Sequence, residues 1–191
     1  MSKAITSRLL VAFLLLAMVA LPALAKGGSN KLSADLTSYQ EVPALQSNAT
    51  GHLDLEIDGN TVHYTLTFSN LRADATQSHI HMAQPGVNGG IFVFFCSNLG
   101  NGPAGTPACP LRGGTLTGTF GSSNILAISS QGIGAGDISS VLKALRNGVT
   151  YANVHSTQFP GGEIRGQIKG KGKLEELVDD PLGLEGDGEN Q

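Results

Sequence analysis

Three histidines and one glutamate carry the chemistry that this sequence offers. His79 and His81 stand two residues apart in the run SHIHM, residues 78–82. On a β-strand that spacing turns both imidazoles to one face. His155 comes much later, in YANVHS, where Tyr151 and Asn153 fall on its own face. In the segment after it, Glu163, Arg165 and Gln167 alternate in the same way. A hairpin closed around TQFPGG sets His155 opposite or diagonal to Glu163, and Asn153 near Arg165. Three neutral imidazoles on a rigid sheet, with a fourth position for carboxylate or water, are a donor set for copper or zinc. The candidate ligands are therefore His79, His81, His155 and Glu163. The same residues support a plainer expectation. Tyr151, Asn153 and Arg165 can join the histidines in a satisfied hydrogen-bond network that locks the last hairpin to the sheet. His52 and His63 alternate with core positions on other strands, and solvent exposure is expected for both.

The elements that must position these side chains are mostly strands. Residues 32–36 alternate and open the domain; Pro43 then interrupts any ladder. Residues 51–57 place Leu53, Leu55 and Ile57 on one face, and residues 61–68 answer with Val62, Tyr64, Leu66 and Phe68. Asp58-Gly59-Asn60 between them is turn chemistry, so the pair reads as a β-hairpin. Further strands are expected at 78–82, 91–95, 115–120, 149–156 and 163–168. The apolar IFVFF of 91–95 suits a central strand covered on both faces, with Phe92, Phe94 and Phe95 in the core. The period changes once. Asp137 caps a short helix that places Ile138, Val141, Leu142 and Leu145 on one stripe, and Asn147-Gly148 ends it. The expected fold is mainly β: an antiparallel Greek-key sandwich or barrel with one short helix in a connection.

Composition agrees and excludes other classes. The chain has 191 residues, 40% apolar and only 14% charged, with 26 glycines and no tryptophan. A net charge of −3 and a pI near 5.9 leave no basic surface for a phosphate backbone, so no nucleic-acid partner is expected. No G-x-S-x-G elbow is present, and the glycines supply turns rather than a phosphate cradle.

The destination is written at the start of the chain. Lys3 and Arg8 precede an unbroken apolar run over residues 9–21, too short to span a bilayer core of ~30 Å. Pro22 and the A-x-A tripeptide 23–25 complete a secretory signal peptide, residues 1–25. A short polar lead, 26–31, and a charged, Gly-rich, disordered tail, 169–191, flank the domain. The mature chain is expected to be secreted or periplasmic, without a membrane span. Cys96 and Cys109 fit that address. An oxidising compartment pairs them across a Gly/Pro/Asn-rich loop, worth ~3 kcal/mol by loop-closure entropy.

Four stretches then carry a resemblance. They are Tyr39-Gln40-Glu41-Val42-Pro43; His79-Ile80-His81 leading into Gly86-Val87-Asn88-Gly89; Tyr151-Ala152-Asn153-Val154-His155; and Pro160-Gly161-Gly162-Glu163-Ile164-Arg165-Gly166. In that order and spacing the chain resembles the CHRD domain, the module named after chordin, over residues 32–168. The resemblance implies an exported, immunoglobulin-like β domain without an assigned activity. An H-x-H strand on such a sheet is also similar to copper–zinc superoxide dismutase, but the His/Asp set of a zinc loop is missing, so superoxide chemistry is not expected. Two functions follow. The first is a non-enzymatic extracytoplasmic binding or structural module, with an unidentified ligand or protein as partner. The alternative is a copper- or zinc-binding protein, with redox activity open to it, that uses His79, His81 and His155.

Overall fold

Alternation in the sequence becomes pairing in space wherever a tight turn reverses the chain. In the computed structural model, which describes residues 29–171, the first two alternating runs form β2 (Thr50–Asp58) and β3 (Thr61–Ser69). Their register sets Leu53 against Leu66, Leu55 against Tyr64 and Ile57 against Val62, so both apolar rows face one core. The reversal needs a left-handed residue, and Gly59 at φ 56° supplies it. The remaining strands are β1 (Lys31–Thr37), β4 (Ala75–Met82), β5 (Gly90–Ser97), β6 (Gly114–Phe120), β7 (Thr150–Ser156), β8 (Ile164–Gln167) and β9 (Lys169–Gly170).

The strand order is β5-β4-β7-β8-β1-β2-β3-β6, with β9 on the edge of β1, and every pair is antiparallel. The sheet curls into a nearly closed barrel around the hydrophobic core. One helix, α1 (Ile138–Arg146), lies in the connection before β7. Asp137 caps it by accepting a hydrogen bond from the Ser140 backbone N–H at 3.0 Å, and Gly148 at φ 67° ends it. Its buried stripe of Ile138, Val141, Leu142 and Leu145 is the one expected from the sequence.

One expectation about the elements is corrected, and two ends are paired where unpaired chain was expected. The IFVFF run is not in the middle of the strand order: β5 ends it. Its apolar character reflects covering by other means. The backbone N–H of Leu126 bonds to Phe92 O, the Ser97 N–H bonds to Pro107 O, and Tyr64 packs on Phe95 at 4.7 Å between centroids. Just past residue 168, β9 pairs Lys169 and Gly170 with Ser33 and Leu32, so the first two residues of the expected tail are paired to the sheet. Backbone groups need partners whatever side chains they carry, and β1 offers an edge there. For the same reason Lys31 belongs to β1 and not to a polar lead. The signal peptide expected at 1–25, and the tail from 172 onward, lie outside the described residues.

Cys96 and Cys109 are joined as expected, at a sequence separation of 13. The bridge ties the covering loop to the buried inner side of β5. Reducing it is expected to lower stability by about 3 kcal/mol, read as a fall in the calorimetric midpoint. An unchanged midpoint with two free thiols by mass spectrometry would show that the bridge stabilises nothing.

Candidate functional site

The strands that carry the histidines lie inside the strand order, where each is held along both edges. Register places His79 beside Asn153, His81 beside Tyr151 and Gln77 beside His155 across β4 and β7. Across β7 and β8 it places Asn153 beside Arg165 and Tyr151 beside Gln167. Alternation then sorts the side chains. Ile80, Ala152, Val154 and Ile164 enter the hydrophobic core, while His79, His81, Tyr151, Asn153, His155 and Arg165 occupy the opposite face. That face is not in water. His79 is 0% exposed, His155 6% and His81 7%, because loops roof the strands.

The three imidazoles converge, each offering a ring nitrogen within 4.8 Å of the other two. Main-chain carbonyls orient two of them. His81 Nδ1–H donates to Gly89 O and His155 Nδ1–H donates to Pro160 O, both at 2.9 Å. Each of these rings therefore keeps its lone pair on Nε2. Asn153 Oδ1 is placed 3.1 Å from His81 Nε2; because a neutral ring with its proton on Nδ1 can only accept there, the amide has to turn its NH2 to that nitrogen. His79 Nδ1 lies 3.3 Å from His155 Nε2, which leaves His79 Nε2 buried with no hydrogen-bond partner. Phe94 closes the outer side edge-on to His79, with 4.3 Å between centroids.

Burial decides the protonation of the cluster. It holds His79 down at about 2, with the neighbouring His155 and His81 adding to the effect. His81 falls to about 4, again chiefly by burial, and His155 is lowered for the same reason. All three rings are neutral at physiological pH, the state in which imidazole binds metal.

The roof is held by one cation. Arg165, 2% exposed, stacks its guanidinium 3.4 Å above the Tyr151 ring, and Tyr151 stacks parallel on His81 at 4.6 Å. Arg165 donates to Val87 O at 2.7 Å and to Asn88 Oδ1 at 3.0 Å; Asn88 in turn donates to Val42 O. The loop so fixed delivers Gly89, whose carbonyl steers His81. A Cβ at Gly89 would collide with the Met82 carbonyl, so only glycine permits that close approach.

Glu41 is a residue that sequence reasoning missed. Its carboxylate lies over Gly162, on the turn that carries Pro160 O, and Oε1 is buried without a partner. Burial raises its pKa to about 7, against the opposing pull of Arg165. Glu41 stood in the first of the four stretches that carry the resemblance, but its neighbour Pro43 speaks of an interrupted strand and not of a buried acid.

Glu163 is corrected as a member of the cluster. Its carboxylate accepts from Ser47 Oγ and Ser156 Oγ at 2.6 Å and from the Arg72 N–H at 2.8 Å, away from the imidazoles. Gly162, at φ 128°, turns the chain just before it, so simple alternation from Arg165 does not reach Glu163. The register expected for Asn153 and Arg165 is observed. His52 and His63 are exposed, as expected, and His52 pairs with Asp35 at 2.7 Å.

Residues of all four quoted stretches thus meet on one face of β4, β7 and β8 or in the loops that cover it. A family model for the CHRD domain matches residues 32–168. The chain belongs to the CHRD domain family. Neither a curated protein nor a solved structure matches it. In this CHRD domain the matched region runs from the second residue of β1 to the residue before β9, and it contains the histidine cluster and its roof. Among the described residues, no helix is long and apolar enough to cross a membrane.

Proposed function

We propose that this CHRD domain is a non-enzymatic extracytoplasmic binding module, and that it holds a copper or zinc ion between His79, His81 and His155. The observation that carries the reading is the convergence of three neutral imidazoles on neighbouring strands. Two nitrogens bound at about 2.0–2.1 Å to one tetrahedral ion stand roughly 3.3 Å apart. His79 Nδ1 and His155 Nε2 show that separation, 3.3 Å. Metal-bound histidines usually donate their second N–H to a carbonyl, which fixes the ring and raises its basicity. Gly89 and Pro160 supply such carbonyls to His81 and His155. With Nδ1 of His79 turned to the ion, its Nε2–H stays buried without an acceptor, so this ring lacks the carbonyl support that the other two have.

Binding, not turnover, suits the burial. The roof and Phe94 leave the rings no open wall against which a substrate would be turned over. The signal-peptide pattern of residues 1–25 in the sequence and the Cys96–Cys109 bridge support an address outside the cytoplasm. The Greek-key form, immunoglobulin-like or superoxide-dismutase-like, belongs to this proposal as the rigid scaffold that presents the rings.

One observation favours a second reading. Asn153 and His79 already give His81 and His155 hydrogen bonds, so the cluster also works as a polar network that fixes the loops. Elemental analysis of the untagged chain, exposed to copper or zinc and freed of excess by gel filtration, separates the two. Stoichiometric metal is expected, and its loss in His79→Ala and His155→Ala. A metal-free wild type, with lower melting temperatures in both variants, would leave only the network.

A further inference from the structure

We infer that the histidine cluster selects cuprous copper, Cu(I), over divalent zinc, an inference that rests on the metal-site reading above. The donor set is three neutral nitrogens and carries no negative charge. No carboxylate joins the set: Glu163 is held by Ser47, Ser156 and the Arg72 N–H, and Glu41, although its Oε1 has no partner, lies over Gly162 and outside the three-imidazole group. The charge that acts on His81 through the stack is of the wrong sign. Arg165 rests on Tyr151, which rests on His81.

A divalent ion placed here would be a double charge, buried, uncompensated and within reach of a guanidinium. The cost of burying a charge grows with its square, so a monovalent ion is penalised about four times less than a divalent one. Coordination number points the same way. Protein zinc is almost always four-coordinate and completes its shell with an anion or water. Phe94, edge-on to His79, covers one flank of the cluster with an apolar ring, and the three imidazoles bring no fourth donor with them. A closed-shell monovalent copper ion is content with three imidazoles, and an apolar, water-poor pocket keeps it reduced. The cluster therefore fits a trigonal cuprous ion, taken up without change of oxidation state.

Anaerobic competition measures both affinities on the untagged chain, with bicinchoninate as rival for Cu(I) and a chromophoric chelator for Zn(II). Cu(I) is expected to bind stoichiometrically and about a hundredfold or more tighter than Zn(II). His155→Gln, which keeps the ring's volume better than alanine does, is expected to abolish Cu(I) retention while near-UV circular dichroism stays native. Phe94→Glu supplies the missing anion on a partly exposed side chain, and is expected to narrow the preference by about tenfold or more. The wild-type ratio needs no variant to fold and decides the matter alone. Zinc bound as tightly as Cu(I), through the same histidines, would overturn the selectivity and leave the metal site standing. No binding of either ion would remove both.

Discussion

Acidifying the metal-free domain from pH 7 to pH 4 is expected to cost about 4 kcal/mol of folding stability. His79 and His81 titrate near 6.5 when unfolded but only at about 2 and about 4 in the fold, because they are buried. Below pH 6.5 the unfolded chain therefore binds protons that the folded one refuses. Stability falls by roughly 1.4 kcal/mol per pH unit for each ring. His155 is shifted in the same direction and adds to the loss. Glu41 opposes them. Its folded pKa of about 7 lies above the ordinary 4.5, so the fold takes up that proton first and gains stability as pH falls from 7 to 4.5. Two rings against one carboxyl leave a net loss, with the maximum near pH 6.5–7. Urea midpoints across the range test this. Glu41→Gln removes the opposing group, and the acid loss should then steepen to about 7 kcal/mol. A profile that is flat, or highest at pH 4, would show that the imidazoles are not buried neutral.

Replacing Arg165 by methionine should remove about 3–5 kcal/mol, although the side-chain volume changes little. The guanidinium is buried, and its planar fork serves Val87 O and Asn88 Oδ1 while stacking on Tyr151. Methionine leaves those acceptors dry and unpaired. Lysine keeps the charge but offers neither the stack nor the fork, so Arg165→Lys should lose most of the same stability. The damage should also reach the cluster, because the loop that Arg165 holds carries the Gly89 carbonyl that steers His81. Chemical denaturation gives the stability, and metal retention gives the second effect. A loss below about 1 kcal/mol would show that Arg165 is not the anchor of the roof.

What could be read along the chain was what obeys a local period. The β2–β3 hairpin, the Asp137-capped helix and the shared face of His79 and His81 follow from alternation, a turn glycine and a capping carboxylate. The Cys96–Cys109 pair followed from two cysteines and the expectation of an oxidising compartment. Even the neighbourhood of Asn153 and Arg165 came from counting back from a turn. The same counting misplaced Glu163, because one glycine at positive φ breaks the alternation that the count assumes. It also set β5 inside the sheet, since an apolar run reports that both faces are covered but not which segment covers them.

The sequence by itself therefore determined a mainly β, family-typical domain and the face on which three imidazoles stand. Only the tertiary structure decided that this face is roofed, that Arg165 and Glu41 are buried with it, and that Glu163 serves another network. The reason is physical. Strand faces are fixed by neighbours two residues away, whereas burial and charge state depend on loops that arrive from a hundred residues off, and no local pattern records their arrival.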